Sequence, residues 1–172
     1  MMRIPKILYL SYDGMTDPLG QSQVLPYIIG LTQKGYRFTL ISFEKPERFE
    51  NSKVAIEQIC QENQIAWYPL MYTKRPPVLS TVKDVWKLRR IVFNLHREKQ
   101  FNLIHCRSYI TSLIGLELKK KQGVKFLFDM RGFWADERVD GDLWNLKNPL
   151  YQQVYNFFKR KEIQFLENAD YT

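Results

Sequence analysis

Lys6-Ile-Leu-Tyr-Leu-Ser-Tyr12 is an almost unbroken apolar run of strand length. It is followed by the glycine-bracketed segment Asp13-Gly-Met-Thr-Asp-Pro-Leu-Gly-Gln-Ser-Gln23 and by a stretch of helical period from Gln21 to Lys34. A strand apolar on both faces must be covered on both faces, and a glycine-containing turn into a helix is how a parallel strand leaves such a sheet. The pattern repeats outward. Arg37-Phe-Thr-Leu-Ile-Ser-Phe43 is a second run, Ile65-Ala-Trp-Tyr-Pro-Leu-Met71 a weaker third, and Asn102-Leu-Ile-His-Cys106 and Lys125-Phe-Leu-Phe-Asp129 complete the set. Pro69 cannot donate to a ladder, so the third run belongs at a sheet edge. Between the strands lie helical segments at Glu50 to Asn63 (Val54, Ile56, Ile59 apolar), Val82 to Lys99, Thr111 to Lys121 (Leu113, Leu116, Leu118) and, last, about Asn148 to Glu167. The expected fold is α/β: a Rossmann-like open parallel sheet with helices on both faces.

The chain of 172 residues, 45% hydrophobic and 26% charged, is long enough for one domain with its own core. No apolar run approaches the roughly 18 residues of a membrane-spanning helix. The first residues lack a small-residue cleavage site after their short apolar stretch, and the two cysteines, Cys60 and Cys106, have neither the number nor the spacing of a disulfide or zinc framework. A cytoplasmic protein is expected, and residues 1–172 read as a single domain. Ala169-Asp-Tyr-Thr172 reads as the entry to another strand, so the chain is expected to be a piece of a longer protein.

The net charge of +8 is regional. Residues 1–72 balance seven cations against seven carboxylates, residues 73–128 carry thirteen against three, and residues 129–172 six against eight. Much of the excess lies on the helix from Val82. At about 100° per residue, Val85, Leu88, Val92 and Leu95 share one side, Lys83, Lys87, Arg90 and Arg97 fall nearly opposite, and Trp86 and Phe93 lie on the flank between. This pattern fits an anionic membrane surface, and it equally fits a solvated helix packed on the sheet by its aliphatic side. Lys74-Arg75-Pro76-Pro77 adds two cations just before the helix. No zinc-finger spacing, RNA-recognition motif or helix-turn-helix pattern is present, so a nucleic-acid partner is not expected.

Ligands of open parallel sheets bind beyond the carboxyl ends of the strands, so the chemistry should follow the strands. After the first strand, Gly14 and Gly20 lie six apart, which is neither the dinucleotide fingerprint nor a phosphate-binding G-K-[ST] loop. The second glycine does precede a helix start, where free N–H groups favour an anion or a sugar hydroxyl. After the fourth, Ile104-His-Cys-Arg-Ser-Tyr109 brings an imidazole, a guanidinium and a hydroxyl together through His105, Arg107 and Ser108. After the fifth, Phe128-Asp-Met-Arg-Gly-Phe-Trp-Ala-Asp-Glu-Arg138 offers Asp129, Arg131 and a turn at Gly132. The aromatic Trp134 could stack on a sugar or fill the core, and Asp136 and Glu137 either pair with the cations or serve a ligand.

The segments Asp17-Pro-Leu-Gly-Gln-Ser-Gln-Val-Leu-Pro26, His105-Cys-Arg-Ser108 and Asp129-Met-Arg-Gly-Phe-Trp134 with Glu137 together resemble the N-terminal half of family 4 glycosyltransferases of GT-B architecture. The resemblance covers essentially the whole chain. It implies an acceptor-binding domain that faces a second, donor-binding domain, with a sugar transferred from a nucleotide sugar to a glycan or lipid-linked acceptor in surface polysaccharide or glycolipid synthesis. It also implies retention of anomeric configuration, no cofactor and no essential metal; the basic helix adds the expectation of a peripheral place at the inner face of a membrane. By the same resemblance His105 and Asp129 are the catalytic candidates, with Gly14, Gly20, Gln21, Arg107, Ser108, Arg131, Trp134 and Glu137 lining the substrate side; on the helical pattern above, Lys83, Lys87, Arg90 and Arg97 are the membrane-facing candidates. Many relatives carry histidine where this chain has Asp129. The family's donor-binding glutamate motif lies in the C-terminal domain, so this chain alone is expected to be inactive. The alternative is a Rossmann-like ligand-binding module without catalysis.

Overall fold

The computed structural model describes residues 4–76 and 78–172; Met1, Met2, Arg3 and Pro77, the last of them part of the basic loop noted above, lie outside the described residues. Five strands form one sheet: β1 (Lys6–Ser11), β2 (Arg37–Glu44), β3 (Ala66–Met71), β4 (Leu103–Arg107) and β5 (Lys125–Asp129). All are parallel, in the order β3-β2-β1-β4-β5. The Pro69 strand is an edge, as its missing donor requires. Tyr171 makes one parallel bridge to Leu127, so the other edge is extended beyond β5 by a single residue.

Alternate side chains of each strand enter different cores. Leu8, Leu10, Ile41, Phe43, Ile104, Cys106, Phe126 and Phe128 pack under α3 (Leu79–Lys99), α4 (Ser108–Gln122) and α6 (Pro149–Asn168). Ile7, Tyr9, Phe38 and Leu40 pack on the opposite face under α1 (Leu25–Thr32) and α2 (Pro46–Glu62). Burying one such aliphatic or aromatic side chain stabilises the fold by about 1.5–3 kcal/mol, which is why strands apolar on both faces hold the centre of the sheet.

Several elements differ from their sequence reading. The first helix opens at Pro18–Leu19 and widens into a π-helical turn, Gly20–Val24, before α1, with the Leu25 amide bonded to the Gly20 carbonyl five residues back. Pro26 has no N–H to donate into the α ladder and clashes with a regular preceding turn, so the wider turn accommodates it. Gly20 is set by a close approach: a Cβ there would lie 2.2 Å from the Gly14 carbonyl oxygen. The second helix begins at Pro46, four residues before the expected start, and Val54 is 76% exposed, leaving Ile56 as its buried anchor. In α6, Phe158 and Phe165 are buried and Phe157 is exposed. Trp134–Asp140 forms a short helix, α5, directly after the turn at Gly132, an element the sequence pattern did not mark. Its apolar contribution to the core is limited, with Ala135 buried and Trp134 half-buried, too brief a pattern to show a period.

Candidate functional site at the sheet switch point

In the order 3-2-1-4-5 the crossovers run one way from β1 to β2 and the other way to β4, so the carboxyl ends of β1 and β4 diverge into a crevice. Register decides what stands there. Tyr9 is paired with His105 and His105 with Leu127, while Ser11 is paired with Arg107 and Arg107 with Asp129. Partners in register share a face, so Tyr9, His105, Arg107 and Asp129 project to the α1 side of the sheet. From above, the π-turn supplies Gln23 and α1 supplies Tyr27.

His105 is buried, its ring 4.3 Å from the Tyr9 ring and 5.7 Å from that of Tyr27, centroid to centroid. Its Nε2 is buried without a hydrogen-bond partner and stands 3.5 Å from Asp129 Oδ2, close to the carboxylate but outside bonding geometry. Arg107 is also buried, with 5% of its side chain exposed. Its Nη2 donates to Gln23 Oε1 at 2.8 Å, and it sits 3.7 Å from Asp13 and 3.8 Å from Asp129. Arg131 Nη2 donates to the same Gln23 oxygen at 2.7 Å. Burial would raise the Asp129 carboxyl, but His105, Arg107 and Arg131 outweigh it and hold the group below the ordinary carboxylate value. Burial pushes the Tyr9 hydroxyl well above its usual range, so it stays neutral.

The loop after β1 is held from beneath by a residue that sequence reading passed over. Glu44, at the end of β2, is fully buried and accepts from the Met15 amide at 2.9 Å, the Thr16 amide at 3.0 Å and the Thr16 hydroxyl at 2.6 Å, and also from Ser42 Oγ. Ser42 in turn accepts from Trp67 Nε1 at 2.8 Å. Asp17 anchors the loop to α2 through Lys45 at 2.9 Å and Arg48 at 2.6 Å.

The remaining candidates fall into three groups. Gly14 and Gly20 are buried where loop, Glu44 and π-turn meet, and exposed Gln21 donates to the Thr16 carbonyl at 3.2 Å. Ser108 opens α4 with a φ of +67°, its carbonyl accepting from Ser112 at 2.7 Å; no side chain caps that helix N-terminus. Trp134 packs against Tyr109, Trp144 and Phe158, with Arg138 over its ring at 4.9 Å, and exposed Glu137 folds over Gly132, whose φ of +153° and missing Cβ permit the turn. The structure thus gathers His105, Arg107, Asp129 and Arg131 around Gln23. It sets Trp134 among core aromatics. Gln23 had no sequence signal beyond its place in the loop; only the fold brings it to two arginines about 84 and 108 residues further along. Among the described residues no three His, Cys, Asp or Glu side chains converge in a way that would hold a metal ion.

On α3, Lys83, Lys87, Arg90 and Arg97 are all exposed. Beside them Leu79 is 67%, Val82 59% and Trp86 61% exposed. Phe93 departs from the expected flank: it is half-buried, with Arg89 5.1 Å and Lys121 5.9 Å from its ring centre. No helix among the described residues is long and apolar enough to cross a membrane.

No protein-family model matches the sequence, and no curated protein matches it at a significant level. Solved structures do. The glycotransferase of kitacinnamycin superposes with a TM-score of 0.52 at 13% identity, over 74% of this chain and 30% of that one. LpCGTa, solved in complex with UDP, superposes with a TM-score of 0.55 at 14% identity, over 73% of this chain and 31% of that one. The likeness is one of fold: a Rossmann-like domain of the kind found in GT-B glycosyltransferases. This chain spans about a third of the length of either structure.

Proposed function

We propose that this chain is the acceptor-side domain of a retaining glycosyltransferase, which works with a donor-binding domain to move a sugar from a nucleotide sugar to a glycan or lipid-linked acceptor. The observation that carries the reading is the orphaned Nε2 of buried His105 beside Asp129, at the carboxyl edge where β1 and β4 part. The fold likeness supports it, and so does the UDP bound to one of the structures it resembles. The cluster lies on an open edge. A groove lined by Tyr155, Lys159 and Ile163 and a pocket lined by His96, Asn102 and Lys125 both lie away from it. An open edge is what one wall of a two-domain cleft presents.

In this reading the acceptor hydroxyl rests between His105 Nε2 and Asp129, held at the distance from the donor carbon that a front-face transfer requires. Transfer leaves positive charge on the sugar and negative charge on the departing phosphate. Asp129, kept ionised by its neighbours, answers the first, and the second is met from the donor-binding domain's side of the cleft. No metal or cofactor enters. The reading is tested on the native polypeptide that contains this domain, captured from its source cell with an antibody and incubated with a panel of nucleotide sugars and glycan acceptors. The expected result is a polypeptide longer than this chain's 20.7 kDa that releases free nucleotide only with a matching acceptor. A 20.7 kDa product without transfer would instead favour the ligand-binding module.

The exposed Leu79, Val82 and Trp86 beside Lys83, Lys87 and Arg90 support a second element of the reading, docking of α3 on an anionic membrane that carries the acceptor.

A further inference from the structure

Gln23 is an unusual partner for two arginines. A guanidinium ordinarily finds a carboxylate or phosphate that matches its fork, and the charge of both ions strengthens the bond. Here Arg107 and Arg131 both donate to one neutral carboxamide oxygen, at 2.8 and 2.7 Å. The carboxylates near Arg107 stand off at 3.7 Å (Asp13) and 3.8 Å (Asp129), and Arg131 forms no ion pair among the described residues. Arg107 is nonetheless buried, at 5% side-chain exposure, a costly state for a cation whose close hydrogen bond goes to a neutral amide while its carboxylates stand off. One further feature lies beside this pair, because Arg107 is itself the N-cap residue of α4. Residue 108 begins the fifteen-residue α4, whose N-terminal amides have no side-chain cap and whose dipole favours negative charge.

From this we infer that Arg107, Arg131 and the N-terminus of α4 form an oxyanion subsite in which the Gln23 carboxamide is a displaceable stand-in, so that the acceptor carries a phosphate or carboxylate group. The inference rests on the acceptor-side reading and adds the charge class of the acceptor. Asp129, 3.5 Å from His105 and 3.8 Å from Arg107, repels an anion on that side, so the ligand enters from the solvent side, where Gln23 and Arg131 are both exposed. Gln23 then sets selectivity. It blocks entry weakly because its oxygen carries no net charge, whereas a carboxylate on the same stem would satisfy both arginines permanently.

The test is titration of the 172-residue chain with inorganic phosphate at constant ionic strength, following the side-chain Nε–H resonances of Arg107 and Arg131 by NMR. Saturable shifts of these two signals are expected. Gln23→Ala, which empties the position, should lower the phosphate Kd at least threefold, and Gln23→Glu, which fills it with a tethered anion, should raise it at least tenfold. Gln23 is exposed on a helix surface, and melting curves matching the wild type verify that both variants fold. Shifts spread evenly over the surface lysines, or equal affinities for the Ala and Glu variants, would overturn the inference. Such a failure leaves sugar transfer untouched, because the transfer assay uses nucleotide sugars and neutral glycans as well. Loss of transfer with phosphate binding intact would point instead at the acceptor-side reading.

Discussion

At the scale of single residues, the loop after β1 depends on one buried carboxylate. Glu44 uses both oxygens to accept from two backbone amides and two hydroxyls, so it is compensated without a cation. Glu44→Gln preserves the shape and turns an NH2 group against these donors. It is expected to cost about 2–4 kcal/mol of stability in urea unfolding, with faster hydrogen exchange at Met15 and Thr16, because orphaned buried donors pay their desolvation in full. A cost below about 0.5 kcal/mol would show that the loop stands without the clamp. Glu44 and Gln23 show why parts of the site were illegible in the sequence. Each is a polar residue at the end of an element, with partners up to 108 positions away, and no local spacing marks such a pair. His105, Arg107, Asp129 and Arg131 were legible because each lies at or just beyond the carboxyl end of a strand whose apolar run is evident, and the sheet gathers strand ends.

At the scale of elements, strands and long helices followed from periodicity, while α5 and the π-turn did not. One is seven residues with little apolar pattern, and the other is a backbone response to Pro26. The end of α3 carries a pH response. His96 is buried there, its Nδ1 accepts from the Phe101 amide at 3.3 Å, and burial lowers its pKa. Only the neutral ring can accept. Above about pH 6.5 both folded and unfolded chains hold it neutral; below that the unfolded chain takes the proton first, so stability falls as pH drops until the folded value is passed. Melting temperature should therefore decline between pH 7.5 and 5, and His96→Asn should flatten that decline. An unchanged slope in the variant would place the titration elsewhere. The lowered carboxylates, Asp129 and Asp136 among them, act in a lower window: their contributions are lost only as pH falls below about 4. On the exposed side of α3, Trp86→Ala with Lys83→Ala and Lys87→Ala is expected to reduce sedimentation with phosphatidylglycerol vesicles severalfold relative to wild type. Neutral vesicles should retain little of either. Wild-type retention on anionic vesicles no greater than on neutral ones would remove the anionic-membrane reading.

At the scale of the molecule, fold class was legible because nearly every strand is apolar on both faces, which leaves few arrangements other than a parallel sheet covered twice. Strand order was not, since it depends on which crossovers reverse, and the reversal at β1 and β4 is what assembles the site. A charged cluster at such an edge needs a second wall to exclude water and to hold a donor, which is why the proposed transfer calls for a donor-binding domain opposite this one. The most direct measurement is steady-state transfer by the native polypeptide with its preferred nucleotide sugar and acceptor, comparing wild type with His105→Ala and with the remote control Val54→Ala, which lies exposed on α2. A site at the switch point predicts a kcat at least tenfold lower for His105→Ala and unchanged for the control. Equal kcat for wild type and His105→Ala, with both folded, would contradict it.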